Sequence, residues 1–319
     1  MENPSFIRLG ISACLLGQPV RFDGNGKLDR YLRDVLGKYV DWVAVCPEFE
    51  CGMGIPREPV RLVQSGERLR FVTVRTAVDK TELIETWMED ESSSLQQENL
   101  SGFVFKTKSP SCALKDAKIY NEKGMVIGRG AGLFASSFVR RFPFVPVEDE
   151  GRLHDEEIRE NFIERVFVYA RWQEWFRNGI TINSLVRWQQ DHKLLLMAHS
   201  PSAVRSLGNV VANHRHRENP EKLAERYFVE MMETLRLKAS VKKNVNVLYH
   251  IAGYFKHRID SDEKAELQEV IESYHNGLVP LIVPITLLEH YVRKYDEPYL
   301  KTQIYLNPHP LELKLRNHV

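Results

Sequence analysis

The sequence predicts an α/β domain, with a mostly parallel sheet and helices on both faces, followed by an all-α domain. In the first half, short apolar runs rich in β-forming residues alternate with helix-like segments, a pattern typical of such a sheet. In the second half, strand signals are scarce and amphipathic helical patterns dominate. Cysteine and histidine are also segregated, since Cys112 is the last of four cysteines and His154 is the first of eleven histidines. We therefore predict an N-terminal domain at 1–150 and a helical domain at 151–319, divided at an acidic, glycine-containing run.

The first half supplies the strands that position a candidate site. The expected strands cover 8–13, 42–45, 69–74, 102–105 and 144–147, and the expected helices cover 28–36 and 81–99. Cys14 and Cys46 follow the first two strands, and Cys112 lies in the loop after 102–105. Because sites in parallel sheets form beyond the carboxyl ends of the strands, we expect these three cysteines to converge at one edge.

The second half is predicted to be helical throughout. Amphipathic patterns cover 218–238, 241–255 and 261–275. Ser200 and Pro201 form a good helix start, with serine as the N-cap and proline as the first helical residue. Pro284 is expected to open a further helix.

Length and composition limit the class of protein. A chain of 319 residues corresponds to roughly two domains of about 150 residues. With 43% hydrophobic and 27% charged residues, the chain is neither disordered nor of low complexity. The formal net charge of +1 means that nucleic-acid binding would require a local basic patch.

We expect a cytoplasmic protein without a membrane span and without an implied protein partner. The apolar stretch at 278–288 is interrupted by two prolines and is shorter than the ~18 residues that a spanning helix needs. The segment 11–14 resembles a lipoprotein cleavage box, but a signal peptide needs an apolar region of about 7–15 residues, which is missing before Cys14. The cysteines should therefore be reduced, metal-bound or catalytic.

Three kinds of site are compatible with Cys14, Cys46 and Cys112. They could be buried structural thiols, because free cysteine is a common core residue. They could bind zinc together with Cys51, although the spacing does not repeat a paired knuckle. They could hold an iron–sulfur cluster; three ligands on a four-iron cluster would leave one iron open to substrate.

Polar residues beside these cysteines favour a functional site. Glu48 lies two residues after Cys46, and Asp23 brings a second carboxylate. Lys106, Lys108 and Ser109 bring donors to the loop before Cys112. Each of these residues could instead be a solvated loop charge or a turn cap. The glycines at 128, 130 and 132 lack the full dinucleotide-binding fingerprint.

Basic side chains in the helical half are candidate RNA contacts. They lie among aromatic residues, a combination that can bind phosphates and stack on bases. An ordinary amphipathic helix surface would give the same pattern. The candidates are Arg215, Arg217, Lys242, Lys243 and Lys256.

Three motifs in order resemble the bacterial thiouracil desulfidase family over roughly residues 5–150. The motifs are Ser12-Ala13-Cys14-Leu15-Leu16-Gly17, Cys46-Pro47-Glu48 through Pro56-Arg57, and Lys106 with Ser109-Pro110-Ser111-Cys112. Segments 192–199, 253–256 and 279–288 resemble a helical domain often fused to that family. The two-domain form is similar to enzymes that remove sulfur from 4-thiouridine in transfer RNA.

The resemblance implies a [4Fe-4S] cluster held by Cys14, Cys46 and Cys112, with one open iron for the thiocarbonyl sulfur. Glu48 would activate a water that attacks the thiolated carbon. Ser109 would assist proton transfer and Lys106 would orient the base, while Asp23, Lys108 and Ser111 would contact the substrate. Cys51 departs from the family pattern. As a fourth ligand it would coordinate the iron that is otherwise available to the substrate.

The main prediction is the first of three functions, and the other two are alternatives to it. The first is removal of sulfur from 4-thiouridine in transfer RNA, for which the target base must be presented or flipped outward. The second is the same chemistry on free 2- or 4-thiouracil. The third is a non-catalytic RNA-binding or redox-sensing protein whose cluster or thiols respond to oxygen.

Overall fold

The computed structural model describes residues 7–212 and 219–318, and these form two compact units. One unit runs to Asp155 and the other begins at Glu156, five residues after the predicted boundary. The acidic run is not a linker, because Glu148 and Glu150 are buried in the first unit. The predicted fold class is confirmed: the first unit is α/β and the second is helical.

The described residues of the first unit form two sheets. The strands are β1 Arg8–Ser12, β2 Asp41–Val45, β3 Val60–Ser65, β4 Arg68–Thr73, β5 Gly102–Phe105, β6 Ala117–Tyr120, β7 Val126–Gly130 and β8 Val147–Asp149. The first sheet has the order β2-β1-β5-β8, and all its neighbouring strands are parallel. Every residue of β5 is buried, as expected for a strand covered on both faces.

Aromatic packing holds a helix against the first sheet. The helices of this unit are α1 Thr81–Gln97 and α2 Leu133–Arg141. Phe103 and Phe105 of β5 stack with ring centroids 4.2 Å apart, and both pack against Phe134 and Phe138 of α2. This apolar layer fixes β5, whose carboxyl end leads into the loop that carries Cys112.

The second sheet was only partly predicted. Its order is β4-β3-β6-β7, with two antiparallel hairpins joined by parallel pairing of β3 and β6. The sequence predicted β4 but missed β3, β6 and β7. All residues of β7 except Gly130 are exposed, so this strand lacks the apolar alternation that marks a half-buried strand.

Two predicted elements differ in detail. The expected helix at 28–36 is a short π-helical turn, Tyr31–Val35, followed by a 3-10 turn, Leu36–Lys38. The expected strand at 144–147 begins instead at Val147. Pro146 has no N–H to donate, and its carbonyl accepts the first ladder bond from Phe103.

The second unit consists of helices in its described part. They are α3 Glu156–Arg177, α4 Ile182–His199, α5 Pro201–Ala212, α6 Pro220–Arg236, α7 Val241–Ala252, α8 Ser261–His275, α9 Ile282–Lys294 and α10 Pro298–Lys301. The predicted helix start at Ser200 and Pro201 and the three predicted helical segments are present. Pro284 does not open α9 but lies in its first turn. Within 7–212 and 219–318, none of the helices is long and apolar enough to cross a membrane.

Candidate functional site

Three cysteines line one cavity at the carboxyl edge of the parallel sheet. Cys14 lies in the 3-10 turn that follows β1, Cys46 directly follows β2, and Cys112 lies in the loop after β5. The cavity has a volume of about 330 Å³ and is lined by all three thiols. The strand order brings these positions together, because β1 lies between β2 and β5.

The thiols are free and largely removed from water. Burial raises the pKa of the Cys14 thiol. Burial also raises the pKa of the Cys46 thiol to about 11 and the pKa of the Cys112 thiol to about 12. The positive charges of Lys106 and Arg21 oppose the shift at Cys14. Thiols in this state give up their protons when they bind a metal.

Cys51 does not line this cavity. It is buried in a turn, Phe49–Met53, and its thiol donates to the Glu48 carbonyl at 3.5 Å. The neighbouring Met53 packs against a separate apolar cluster that contains Leu62 and Phe71. The cavity therefore offers three cysteines rather than four.

The donor set fits an iron–sulfur cluster better than a single ion. Throughout the part of the chain that the structure describes, no three Cys, His, Asp or Glu side chains gather closely enough to hold one metal ion. A structural zinc ion needs four ligands around one atom, so the zinc alternative lacks its donors. A cluster is larger, and cysteine thiolates arranged around it are its usual ligands. Three thiols around one cavity match that requirement.

Glu48 presents its carboxylate between a serine and an arginine. Its Oε1 accepts a hydrogen bond from the Ser111 hydroxyl at 2.8 Å. Its Oε2 accepts from Arg57 Nη2 at 2.8 Å and Nε at 3.2 Å. All three residues line the cysteine cavity. A carboxylate with one oxygen fixed by a cation and the other on a hydroxyl is well placed for proton transfer.

The two serines beside Cys112 have different roles in the loop. The Ser109 hydroxyl oxygen accepts from the Cys112 and Ser111 amides at 3.1 and 3.3 Å, which stabilises the turn. The two hydroxyls are 2.9 Å apart. Ser111, predicted as a substrate contact, is therefore the direct partner of Glu48, whereas Ser109 meets Glu48 only through it.

Lys106 is held by Glu150, a residue of the acidic run at the predicted domain boundary. Its ammonium group forms an ion pair with Glu150, whose carboxylate also accepts from the Thr107 amide at 2.7 Å and hydroxyl at 2.8 Å. The Lys106 amide donates to the Ser12 hydroxyl at 3.0 Å. Glu150 was missed because it lies in an acidic run typical of linkers, and only the pairing of β5 with β8 brings it to the site.

Lys108 and Asp23 differ in their access to the cavity. Lys108 lines the cavity, and its amide donates to Asp116 at 2.7 Å. Asp23 is not among the lining residues; its carboxylate accepts from the Asn25 amide at 3.1 Å and lies 3.6 Å from Arg21. Asp23 therefore caps its own turn, and its role as a substrate-binding residue stays a prediction.

The predicted RNA contacts have unequal access to solvent. Lys242 and Lys256 are exposed. The Lys243 ammonium group is half-buried and donates to the His199 carbonyl at 2.6 Å, at the end of α4. Lys243 therefore contacts the end of α4, and its role as an RNA contact stays a prediction. Arg215 and Arg217 lie outside the described residues.

Gly132 supports the loop of Ser111 and Cys112 by close packing. A Cβ at this position would lie 2.5 Å from the Ser111 carbonyl carbon and oxygen and 2.9 Å from the Cys112 amide nitrogen. Backbone atoms cannot yield as a flexible side chain would, so Gly132→Ala should lower the free energy of unfolding by about 1–3 kcal/mol and reduce iron incorporation. Gly128→Ala is the matched control, since no atom lies within 4 Å of its added Cβ. Equal melting temperatures and iron contents for the two variants would contradict this role.

Asp149 makes stability depend on pH. Burial, with the charges of Asp116, Glu148 and Glu150, raises its carboxyl pKa from 3.8 to about 6. A raised folded-state pKa means that ionisation favours unfolding, so stability falls as pH rises from about 4 to about 6. The isosteric Asp149→Asn should raise the free energy of unfolding by about 1–2 kcal/mol at pH 8 and change it little below pH 4. Denaturant titrations at the two pH values test this, and a pH-independent difference would refute it.

Comparison with known proteins agrees with the two-unit architecture. Residues 9–150 match the 2-thiouracil desulfurase family, and residues 193–310 match a family described as a protein of unknown function, DUF1722. The uncharacterized protein YbgA of Escherichia coli K12 is 31% identical over 153 residues, which are 48% of this chain and 90% of that protein. A solved structure of TudS, a [4Fe-4S]-dependent thiouracil desulfidase, is 29% identical over 47% of this chain and 94% of that chain, with a TM-score of 0.38. The chain therefore belongs to the 2-thiouracil desulfurase family over residues 9–150 and carries a DUF1722 region over residues 193–310.

Proposed function

We propose that this protein is a [4Fe-4S]-dependent desulfidase that converts a thiouracil to uracil, with the free base as the favoured substrate. The observation that carries the proposal is the cavity of about 330 Å³ in which three cysteines and the Glu48–Ser111 pair meet. This cavity lies within the residues that match the 2-thiouracil desulfurase family.

Cys14, Cys46 and Cys112 would hold the cluster. When bound, it supplies a soft, electron-withdrawing iron for the thiocarbonyl sulfur, as a Lewis acid does for a carbonyl oxygen. The position of Cys51 outside the cavity supports three protein ligands rather than four. With three ligands, one iron would remain open to the substrate.

The side chains around the cavity account for the proton transfers. Glu48 takes a proton from water as the water oxygen attacks the thiolated carbon. Ser111 donates to Glu48 and its hydroxyl lies 2.9 Å from that of Ser109, so the two hydroxyls orient the carboxylate, and the proton that Glu48 takes up is passed on to the leaving sulfide. Lys106, held by Glu150, would orient the base. The carbon–sulfur bond is replaced by a carbon–oxygen bond and sulfide leaves, with no net oxidation or reduction.

The family match supports a small substrate. Residues 9–150 match a family described as 2-thiouracil desulfurase, and 2-thiouracil is a free base. Action on 4-thiouridine in transfer RNA is the second candidate, favoured by the exposed Lys242 and Lys256 on the helical unit. The internal bond of Lys243 weakens that case.

A substrate comparison tests the proposal. The protein is purified without oxygen, loaded with iron and sulfide, and incubated separately with 2-thiouracil, 4-thiouracil and bulk transfer RNA. We expect uracil and sulfide from a free base at a higher kcat/KM than any loss of 4-thiouridine from the RNA. Turnover on RNA alone would make transfer RNA the substrate, and no turnover on any of them by the iron-loaded protein would favour the non-catalytic alternative.

A further inference from the structure

Arg57 is a charged side chain in the cavity that takes no part in the bond changes and proton transfers described above. It lines the cavity, yet only 4% of its side chain is exposed, and its partner Glu48 is 13% exposed. The closest contact of this ion pair is 2.8 Å. Removing two charges from water is costly, and a buried pair of this kind is often no more stabilising than apolar packing. Stability alone therefore explains Arg57 poorly.

The guanidinium group fixes only one of the two Glu48 oxygens. Both Arg57 contacts go to Oε2, and Oε1 is left for the Ser111 hydroxyl. A planar guanidinium holds a carboxylate oxygen in a defined direction, whereas a lysine ammonium would act as a point charge. Because Arg57 holds Oε2, the Oε1 atom of Glu48 is the oxygen that faces the Ser111 hydroxyl.

Arg57 is itself anchored on two further sides. Its Nη1 donates to the Gly54 carbonyl at 3.1 Å, and its amide donates to the Phe22 carbonyl at 2.9 Å. Gly54 has φ 73° and ψ −178°, a conformation that is essentially restricted to glycine. The direction of the Gly54 carbonyl, and with it the orientation of the guanidinium, thus depends on a glycine at this position. Phe22 also lines the cavity.

We propose that Arg57 is a positioning residue that aligns the Glu48 carboxylate on Ser111 for the proton transfer. The inference rests on the proposed function, since Glu48 is the base of that reaction. Arg57 acts through Glu48 and does not bind the thiouracil. Its loss should therefore lower kcat far more than it raises KM.

The test combines Arg57→Gln, Arg57→Lys and Glu48→Gln with the double variant Arg57→Gln/Glu48→Gln. With iron content matched, Arg57→Gln should lower kcat about 10²-fold with KM within about threefold of the parent, and Arg57→Lys should recover part of the loss. The double variant should be no slower than Glu48→Gln alone, because residues that act as a unit are not additive. Arg70→Gln is the matched control, since Arg70 forms an exposed ion pair with Asp79 away from the cavity.

Two kinetic outcomes would overturn the role of Arg57. One is a parental kcat for Arg57→Gln, and the other is a double variant slowed by the product of the two single effects. A crystal structure of Arg57→Gln gives a readout independent of turnover: Glu48 Oε1 should leave the Ser111 hydroxyl, and an unchanged 2.8 Å contact would refute the inference. If the iron-loaded parent desulfurises no thiouracil, the proposed function fails, while the crystal structure still decides whether Arg57 positions Glu48.

Discussion

Replacing Cys14, Cys46 or Cys112 by alanine should abolish both cluster binding and sulfide release. Each of these thiols lines the same cavity, and a four-iron cluster with one open iron would use all three as ligands. Cys51→Ala should retain both properties, because Cys51 does not line the cavity and its thiol donates to the Glu48 backbone carbonyl. The measurement is iron and acid-labile sulfide per chain after anaerobic reconstitution, followed by turnover of thiouracil.

The Cys51→Ala variant is a strict control because it removes the same chemical group from a buried position in the same unit. Loss of iron in this variant, with the fold intact by circular dichroism, would mean four protein ligands and a closed cluster. Retention of a full cluster in Cys112→Ala would remove that residue from the ligand set and contradict the account of the cavity.

Glu48→Gln should keep the cluster and lose most of the turnover. The amide has nearly the shape of the carboxylate but cannot accept the proton of the attacking water. General-base catalysis contributes about 10²–10⁴-fold, so kcat should fall by about that factor. The assay is kcat for thiouracil at matched iron content.

Two comparisons make the Glu48 result specific. Glu85→Gln removes an exposed carboxylate that pairs with Arg68 outside the cavity, and it should retain the parental kcat. Parental turnover in Glu48→Gln would exclude Glu48 as the base.

The convergence of the cysteines could be predicted from the sequence because it follows from topology. Cys14, Cys46 and Cys112 come after apolar runs, and parallel strands place such positions at one edge. No detail of side-chain geometry was needed. The second sheet was less predictable, since β7 lacks a buried face and its pairing with β6 is tertiary information.

The side-chain contacts inside the cavity could not be predicted from the sequence, for a different reason. Whether Ser109 or Ser111 meets Glu48 depends on the turn before Cys112, in which Ser109 accepts two amide bonds and leaves Ser111 to reach the carboxylate. Glu150 reaches Lys106 only because β5 pairs with β8. No role could be assigned to the glycines at 128–132 from the sequence. In the structure, Gly132 packs on the Ser111 backbone.

The most direct test of the account is the stoichiometry of products from iron-loaded protein and thiouracil in water enriched in oxygen-18. Hydrolysis of the carbon–sulfur bond predicts one sulfide released for each uracil formed and one labelled oxygen in each uracil. Uracil without the label, or no sulfide from protein that holds its full cluster, would contradict a hydrolytic desulfidase at this cavity.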